Sequence, residues 1–258
     1  MDEQAAGSAI GPGAESATEM TELAPGPIRV LIAEDQALLR ASFAALMNAE
    51  TDLHVVGRAA DGAQAVALAS RLRPDVVVMD IQMPGLSGIE ATRRICADSA
   101  LAGTRVLVLT MFEVEDYMLG ALRAGASGFL LKDASPQAVV DAVRTVHAGQ
   151  SLLSPQVVTT LAARGAGSAC VAGAAGAGPG AVGSAPALGR LTPRQRDVLV
   201  LIARGLSNAE IEAELGIRRA TCRSHITALL ARLGARDRAQ LVIAAYEAGL
   251  VRPGNSGN

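Results

Sequence analysis

The stretch VVVMDIQMPGLSGIE, residues 76–90, decides the fold of the first half of the chain. It opens with four consecutive apolar residues, a pattern typical of a short strand that is buried on both faces in a parallel sheet. Asp80 follows this strand directly, and residues 86–97 repeat apolar side chains at helical spacing. The stretch therefore predicts a strand, an acidic turn and a helix in succession.

Strand and helix signals alternate on both sides of this stretch. Further strands are predicted at 29–33, 53–59, 105–109 and 128–131, and further helices at 36–50, 62–72, 114–124 and 137–147. Five successive βα units predict an α/β fold, with a doubly wound, five-stranded parallel sheet and helices on both of its faces. In such sheets functional groups gather at the carboxyl ends of the strands.

Polar side chains follow four of the five predicted strands. They are Glu34 and Asp35 after the first strand, Asp80 after the third, Thr110 after the fourth and Lys132 after the fifth. Carboxylates that meet at one edge repel one another unless a cation is present, and a hard cation such as Mg²⁺ prefers oxygen ligands. A carboxylate beside Mg²⁺, an ammonium group and a hydroxyl group are suited to accepting a phosphoryl group.

Lys132 is the only lysine in a chain that has 22 arginines. A compact ammonium group can enter a small pocket where a planar guanidinium group does not fit. A lysine that merely remains on the surface is the alternative, and the neighbouring carboxylates favour the pocket.

Composition excludes several classes of protein. The chain has 258 residues, a net charge of −2 and three cysteines, which lie too far apart for a disulfide framework or a zinc site. Residues 1–26 contain no basic residue, which argues against a signal peptide, and no run is long and apolar enough to span a membrane. We therefore expect a cytoplasmic protein that does not contact the membrane.

The composition also divides the chain into segments. We expect a disordered acidic tail at 1–26, the α/β domain at 27–150, a linker at 151–189 that is rich in Gly and Ala from residue 165, a second domain at 190–252 and a flexible tail at 253–258. Residues 190–258 hold 11 arginines against six acidic residues. This excess suggests a polyanionic partner, and chance variation between surfaces is the alternative.

The second domain is predicted to be small and all-α, with four helices. Capping boxes begin at Thr192 and Ser207, and Asp237 begins a similar motif that ends at Gln240. A helix, a short turn and a longer helix that carries arginines form a helix-turn-helix pattern.

On the long helix, Ala220, Ile226, Leu229, Leu230 and Leu233 are expected to be buried, and Cys222 is expected to be a small apolar core residue. Arg219, Arg223, Ser224 and Thr227 share another face that fits a major groove, and an ordinary solvated face is the alternative. Arg218 comes just before Arg219, and an arginine can contact a phosphate but cannot accept from the free N–H groups at the start of a helix.

Residues 28–148 resemble the receiver domain of two-component response regulators. The motifs that carry the resemblance are AEDQ (33–36), VVVMDIQMPGLSGIE (76–90), LVLTMF (107–112) and AGASGFLLKD (124–133). The resemblance implies a flavodoxin-like fold in which Asp80 accepts phosphate from the phosphohistidine of a sensor histidine kinase. It implies a Mg²⁺ site made by Glu34, Asp35, Asp80 and the backbone carbonyl of Gln82, a phosphate site at Thr110 and Lys132, and an aromatic switch residue at Phe129. Glu34 departs from the family, which more often has Asp there.

Residues 191–251 resemble the LuxR-type DNA-binding domain, so the whole chain is similar to response regulators of the NarL/FixJ type. The resemblance implies double-stranded DNA as a partner, a homodimer on DNA that pairs through the last helix, and contact with RNA polymerase. The DNA contacts would come from Arg218, Arg219, Arg223, Ser224 and Thr227. It also implies that the unphosphorylated receiver covers the basic domain.

Two other functions remain open at this point. An aspartate-nucleophile phosphatase also forms an aspartyl phosphate, but its second carboxylate is replaced here by Gln82. A receiver that only docks proteins, without phosphorylation, is the other alternative. We expect no enzyme activity beyond Mg²⁺-dependent self-phosphorylation and self-dephosphorylation. The sequence does not identify the kinase, the signal, the operator, the sign of regulation or the role of the acidic tail.

Overall fold

The computed structural model describes residues 26–111, 115–150, 152 and 188–251. The predicted acidic tail up to residue 25, nearly all of the predicted linker and the tail at 253–258 lie outside these residues. Among the described helices, none is long and apolar enough to cross a membrane.

The first unit is a five-stranded parallel sheet between two layers of helices. Its strands are β1 (Ile28–Ala33), β2 (Leu53–Ala59), β3 (Val76–Asp80), β4 (Arg105–Thr110) and β5 (Gly128–Leu131). Its helices are α1 (Ala37–Asn48), α2 (Gly62–Leu72), α3 (Gly88–Ala97), α4 (Glu115–Arg123) and α5 (Pro136–His147), with a 3₁₀ turn at Ser99–Leu101. The strand order is β2-β1-β3-β4-β5, and every pair is parallel, as the alternating signals predict.

Strand β3 lies at the centre of the sheet and is buried along its whole length. Its alternate residues face opposite layers of the core, with Val77 and Met79 in one hydrophobic cluster and Val76 and Val78 in the other. This alternation follows from the two-residue repeat of a strand. The continuous apolar run is thus explained by burial on both faces.

Most of the predicted element boundaries agree with the structure within two residues, and the differences have local causes. Helix α3 begins at Gly88 rather than Leu86 because the Ser87 side chain accepts from the backbone N–H of Glu90 and caps the helix. Strands β3 and β4 each run one residue further than predicted. Asp80 and Thr110 are therefore the last residues of their strands.

The second unit contains four helices, as predicted. They are α6 (Pro193–Ala203), α7 (Asn208–Leu215), α8 (Arg219–Leu233) and α9 (Arg238–Glu247). Both predicted capping boxes are present, at Thr192 with Gln195 and at Ser207 with Glu210. Gly216 ends α7 in the left-handed conformation, which makes the tight turn before α8.

The buried face of α8 agrees with the prediction at Leu229 and Leu233, while Leu230 is only half-buried and Ala220 is exposed. Cys222, Leu229 and Leu233 are buried, and Ile226 is half-buried, so this face repeats at helical spacing. Ala220 was predicted to be buried and is exposed, because it lies two residues before Cys222 and so points to the other side of the helix. The prediction that Cys222 is a core residue is confirmed.

The two units pack against each other through α9 and the C-terminal part of α4. The side-chain amide of Gln240 donates to the backbone carbonyl of Leu122 at 3.0 Å, and the Ser127 hydroxyl donates to the Asp237 carboxylate. Arg236 Nη2 donates to the backbone carbonyls of Leu101 and Thr104, each at 2.7 Å, on the two sides of the turn before β4. These contacts join the second unit to the end of the sheet at which β4 and β5 begin. We call this set of contacts the interdomain interface.

Leu152, within the predicted linker, lies beside β5. It forms a parallel bridge with Gly128, and its carbonyl accepts from the backbone N–H of Phe129 at 3.2 Å. Its side chain packs against the core on one face of the sheet. Leu152, five residues beyond the end of α5, is thus attached to the edge of the sheet.

Candidate functional site

Three carboxylates meet at the carboxyl ends of two adjacent strands. Asp80 is the last residue of β3, and Glu34 and Asp35 follow β1. One ligand oxygen from each of the three residues lies within 4.8 Å of the others. The sequence-based expectation that these side chains come together is met because neighbouring parallel strands end at the same edge.

The ammonium group of Lys132 lies between two of these carboxylates. Its Nζ is 2.7 Å from Glu34 Oε2 and 3.0 Å from Asp80 Oδ2. The exposed fraction of the three side chains is only 3% for Lys132, 2% for Glu34 and 5% for Asp80. Lys132 is therefore not a surface lysine, and its charge offsets part of the repulsion between two buried acids.

Burial sets the protonation behaviour of Glu34. Loss of hydration raises the pKa of its carboxyl group, and the hydrogen bond from Lys132 opposes this rise. The nearby charge of Asp80 raises the pKa further. The pocket thus disfavours negative charge on Glu34 until more positive charge is supplied.

Thr110 and Phe129 lie on the two strands next to the carboxylates. Thr110 is buried at the end of β4, and its backbone carbonyl accepts from the Lys132 N–H at 2.8 Å. Phe129 is 8% exposed and belongs to the hydrophobic cluster that also contains Met118 and Leu119 of α4. Phe129 thus lies in β5, three residues before Lys132, and belongs to the same core cluster as two residues of α4.

The oxygen donors fit a magnesium ion. Asp35 and Gln82 are exposed residues beside the buried Asp80, so one side of the cluster faces water. Mg²⁺ usually keeps several waters and binds through one or two carboxylates. Both carboxylate oxygens of Glu34 already have partners: one contacts Lys132, and the other accepts from the Gln36 backbone N–H at 3.3 Å.

Sequence reasoning missed two residues that shape this site. Gly88 lies so close to β3 that an added Cβ would be 1.8 Å from the backbone oxygen of Asp80. Arg40 donates to the backbone carbonyls of Glu34 and Asp35. Gly88 lies within the stretch 76–90 and directly after Ser87, the cap of α3. Neither this stretch nor the cap shows from the sequence that Gly88 approaches the backbone of Asp80. The contacts of Arg40 have no sequence signature.

The residues predicted to contact DNA lie on one open surface of the second unit. Helix α8 presents these side chains to solvent, and each of them is exposed: Arg218, Arg219, Arg223, Ser224 and Thr227. Arg218 occupies the cap position of α8 with no side-chain hydrogen bond to the helix, as expected. The N-terminus of α8 therefore combines free N–H groups with arginine side chains, an arrangement that attracts anions.

Not every arginine of the second unit is available to a ligand. Arg194 donates to the Leu215 carbonyl, and Arg232 donates to Gln195 Oε1 at 2.8 Å. Arg238 donates to Asn208 Oδ1 at 2.8 Å and joins α9 to the start of α7. Part of the basic excess thus stabilises the fold, while the arginines at the start of α8 remain exposed.

Two family models match the chain. The model described as the response regulator receiver domain matches residues 30–144, and the model described as bacterial regulatory proteins of the luxR family matches residues 189–245. The fold and the site define a receiver joined to a helix-turn-helix domain. The chain belongs to the family of response regulators that carry a LuxR-type DNA-binding domain, and it is a regulator of this class.

Curated relatives match over nearly their full length. The uncharacterized transcriptional regulatory protein YxjL of Bacillus subtilis is 36% identical over 225 residues, which cover 87% of this chain and 98% of the relative. The transcriptional regulatory protein LiaR of the same organism is 36% identical over 224 residues, 87% of this chain and 99% of the relative. The oxygen regulatory protein NreC of Staphylococcus carnosus is 33% identical over 216 residues, which cover 83% of this chain and 95% of the relative.

A solved structure of the response regulator ChrA, from a heme-sensing two-component system, is also similar. It is 33% identical, covers 88% of this chain and 100% of its own, and superimposes with a TM-score of 0.45.

Proposed function

We propose that this protein is a phosphorylation-controlled regulator of transcription in which Asp80 accepts a phosphoryl group from a sensor histidine kinase. The observation that carries the proposal is the buried contact of Lys132 with Asp80 and Glu34, at 3.0 and 2.7 Å. Burying three charged side chains costs hydration free energy, so a function explains this cluster better than a contribution to stability does. Such clusters are typical of functional sites.

The metal site that we propose consists of Glu34, Asp35, Asp80 and the backbone carbonyl of Gln82. Mg²⁺ held there would neutralise charge that develops on a transferred phosphoryl group. Asp80 supplies the attacking oxygen from the end of β3. Lys132 holds the Asp80 carboxylate in place and is close enough to pair with a phosphoryl oxygen.

The response to phosphorylation is proposed to begin at Thr110, Lys132 and Phe129. The hydroxyl of Thr110 and the ammonium group of Lys132 would bind phosphoryl oxygens, and Phe129, three residues before Lys132 and in the core cluster that includes residues of α4, would follow. Differential contact of this kind shifts a population between two arrangements of the receiver. Mg²⁺-dependent self-phosphorylation and self-dephosphorylation belong to the same proposal.

For the second domain we propose binding to double-stranded DNA as a homodimer through the exposed residues at the start of α8. Their exposure and their positive charge support this proposal. Contact with RNA polymerase and action in the cytoplasm complete it. We also propose the domain boundaries 27–150 and 190–252, with the intervening segment as a linker, apart from Leu152 at the edge of the sheet, and the termini as flexible tails.

Phosphorylation at one residue tests the first part. The full chain is incubated with acetyl phosphate and Mg²⁺, and intact mass reports the covalent phosphoryl group. Asp80→Asn is expected to abolish the mass increase. Asp75→Asn is the matched control, since Asp75 lies at the opposite end of β3 and accepts from the Arg29 N–H at 2.8 Å.

An unlabelled wild-type chain would favour a receiver that docks proteins without phosphorylation. Labelling of the Asp80→Asn variant would show that another residue is the acceptor. Selection of bound fragments from genomic DNA, with and without phosphorylation, tests the second part.

A further inference from the structure

Arg40 holds the backbone of both acidic residues that follow β1. Its Nη1 donates to the Glu34 carbonyl at 2.5 Å and to the Asp35 carbonyl at 3.1 Å. Arg40 lies in the first turn of α1, a helix whose N-cap, Gln36, makes no side-chain capping bond. The guanidinium group of Arg40 therefore holds the backbone of segment 34–36 against α1, although the N-cap residue of α1 makes no side-chain hydrogen bond to the helix.

Segment 34–36 carries two acidic side chains that differ in burial. The Glu34 side chain is 2% exposed, whereas Asp35 is exposed. Oxygens from both side chains nevertheless lie within 4.8 Å of each other and of an Asp80 oxygen. Three carboxylates at this spacing repel one another, so the backbone that carries them has a tendency to move apart. Both backbone oxygens accept from the same nitrogen, Nη1 of Arg40, so one charged donor group holds the two consecutive carbonyls close together.

We propose that Arg40 is a positioning residue for the metal site: it holds the backbone of Glu34 and Asp35 so that their carboxylates converge with Asp80. Arg40 itself contacts neither the ion nor the phosphoryl group. The inference rests on the proposed function, because it assumes that this cluster binds Mg²⁺.

Arg29, in β1, provides a matched control for Arg40. Its guanidinium group also donates to two consecutive backbone carbonyls, those of Leu72 at 2.7 Å and Arg73 at 3.2 Å. This contact lies at the opposite end of β1, away from the carboxylates. Loss of either guanidinium group removes two hydrogen bonds to carbonyls, but only Arg40 is expected to affect the metal site.

The test measures Mg²⁺ affinity of the unphosphorylated full chain by isothermal titration calorimetry, together with the melting temperature. Arg40→Ala is expected to weaken Mg²⁺ binding about tenfold, which corresponds to roughly 1.4 kcal/mol. Arg40→Lys, which keeps the charge and a donor nitrogen on a shorter side chain, is expected to recover part of this loss. Arg29→Ala is expected to lower the melting temperature similarly while leaving the Mg²⁺ affinity unchanged.

Unchanged Mg²⁺ affinity in Arg40→Ala would overturn the positioning role, and so would an equal loss in Arg29→Ala. Either result would leave the proposed function intact. A wild-type chain that binds no Mg²⁺ would overturn both, so the two failures are distinguishable.

A second inference comes from the interdomain interface. The receiver contacts α9 and the residues just before it, namely Arg236, Asp237 and Gln240. The proposed DNA-contacting residues at the start of α8 are exposed while this contact is made. We infer that the packed molecule keeps its DNA-contacting face accessible, so that the receiver covers α9 and not the base-reading surface. This differs from the expectation that the receiver covers the basic domain as a whole.

Interface variants test this second inference in the full chain. Ser127→Ala with Gln240→Ala removes three cross-domain hydrogen bonds and is expected to separate the units, which small-angle X-ray scattering reports. The affinity for a short duplex of mixed sequence, long enough for one DNA-binding domain, is expected to stay within about twofold of wild type. Arg223→Ala is the positive control and is expected to weaken the same binding. A gain of about tenfold on separation would show that the receiver masks the DNA-contacting face.

Discussion

The side-chain amide of Gln240 donates to the backbone carbonyl of Leu122, 118 positions earlier in the chain, at 3.0 Å. The sequence suggests a different partner, because Gln240 stands three residues after Asp237 in a box-like motif. Asp237 does cap α9, and its Oδ1 accepts from the Gln240 N–H at 3.1 Å. The second half of the motif is directed across the interdomain interface instead, so the start of α9 serves as both a helix cap and an interdomain contact.

The protonation of Asp237 gives the interdomain interface a pH dependence. Burial raises the pKa of its carboxyl group, opposed by the Ser127 hydroxyl, the Gln240 N–H and the charges of Arg105 and Arg236. Separation of the units would expose this carboxyl group to water and return its pKa toward the ordinary value, so lowering the pH is expected to strengthen packing. This stabilisation of packing by protons is absent at pH values above the raised pKa of Asp237. It is complete at pH values below the ordinary pKa range of an aspartate.

Small-angle scattering of the full chain along a pH series checks this expectation. The wild-type chain is expected to become more compact as the pH falls. Asp237→Asn keeps a good cap but does not titrate, so its dimensions are expected to vary less. The same pH response in both proteins would assign the effect to another group.

Replacement of Lys132 by Arg tests whether size, and not charge alone, matters in the pocket. The ammonium group has 3% exposure and touches two carboxylates, so a larger planar group must displace one of them. The rate of phosphorylation from acetyl phosphate is expected to fall by about tenfold or more in Lys132→Arg. The same fall is expected in Lys132→Ala, which removes the charge. A Lys132→Arg rate near that of wild type would contradict the size argument.

Gly88→Ala is expected to disturb the site through the backbone. The new methyl group would lie 1.8 Å from the Asp80 carbonyl oxygen, and neither α3 nor β3 can shift without loss of packing. We expect a destabilisation of about 1–3 kcal/mol, measured by denaturant unfolding, together with slower phosphorylation. Gly103→Ala is the matched control, since nothing lies within 4 Å of the Cβ it would add. Equal behaviour of the two variants would exclude the close approach as the cause.

Arg218→Ser is expected to separate stability from DNA binding. Arg218 makes no capping bond, whereas Ser accepts from the free N–H groups, so unfolding of the second domain becomes less favourable by about 0.5–2 kcal/mol. The melting temperature should rise while the affinity for duplex DNA falls. If Arg218 contacts one phosphate, the salt dependence of binding flattens by about one unit of slope, which anisotropy titrations measure. An unchanged slope removes this phosphate contact.

Much of the candidate site could be predicted from the order of the sequence alone. A buried apolar run such as residues 76–79 places its neighbour Asp80 at a strand end, and parallel strands bring such ends together. The convergence of Glu34, Asp35, Asp80 and Lys132 needed no knowledge of side-chain packing. Arg40 and Gly88 could not be predicted in this way, because both act on backbone atoms and leave no periodic signal.

The sequence by itself determined the local structure: which segments are strands, where the helices are capped and which charges follow each strand. These properties depend on contacts within a few residues or on the two-residue and helical repeats. Only the tertiary structure decided how Gln240, Arg236 and Ser127 are used, since their partners are more than 100 positions away. Such pairings arise when two folded surfaces meet, and a linear pattern carries no record of which surfaces do so.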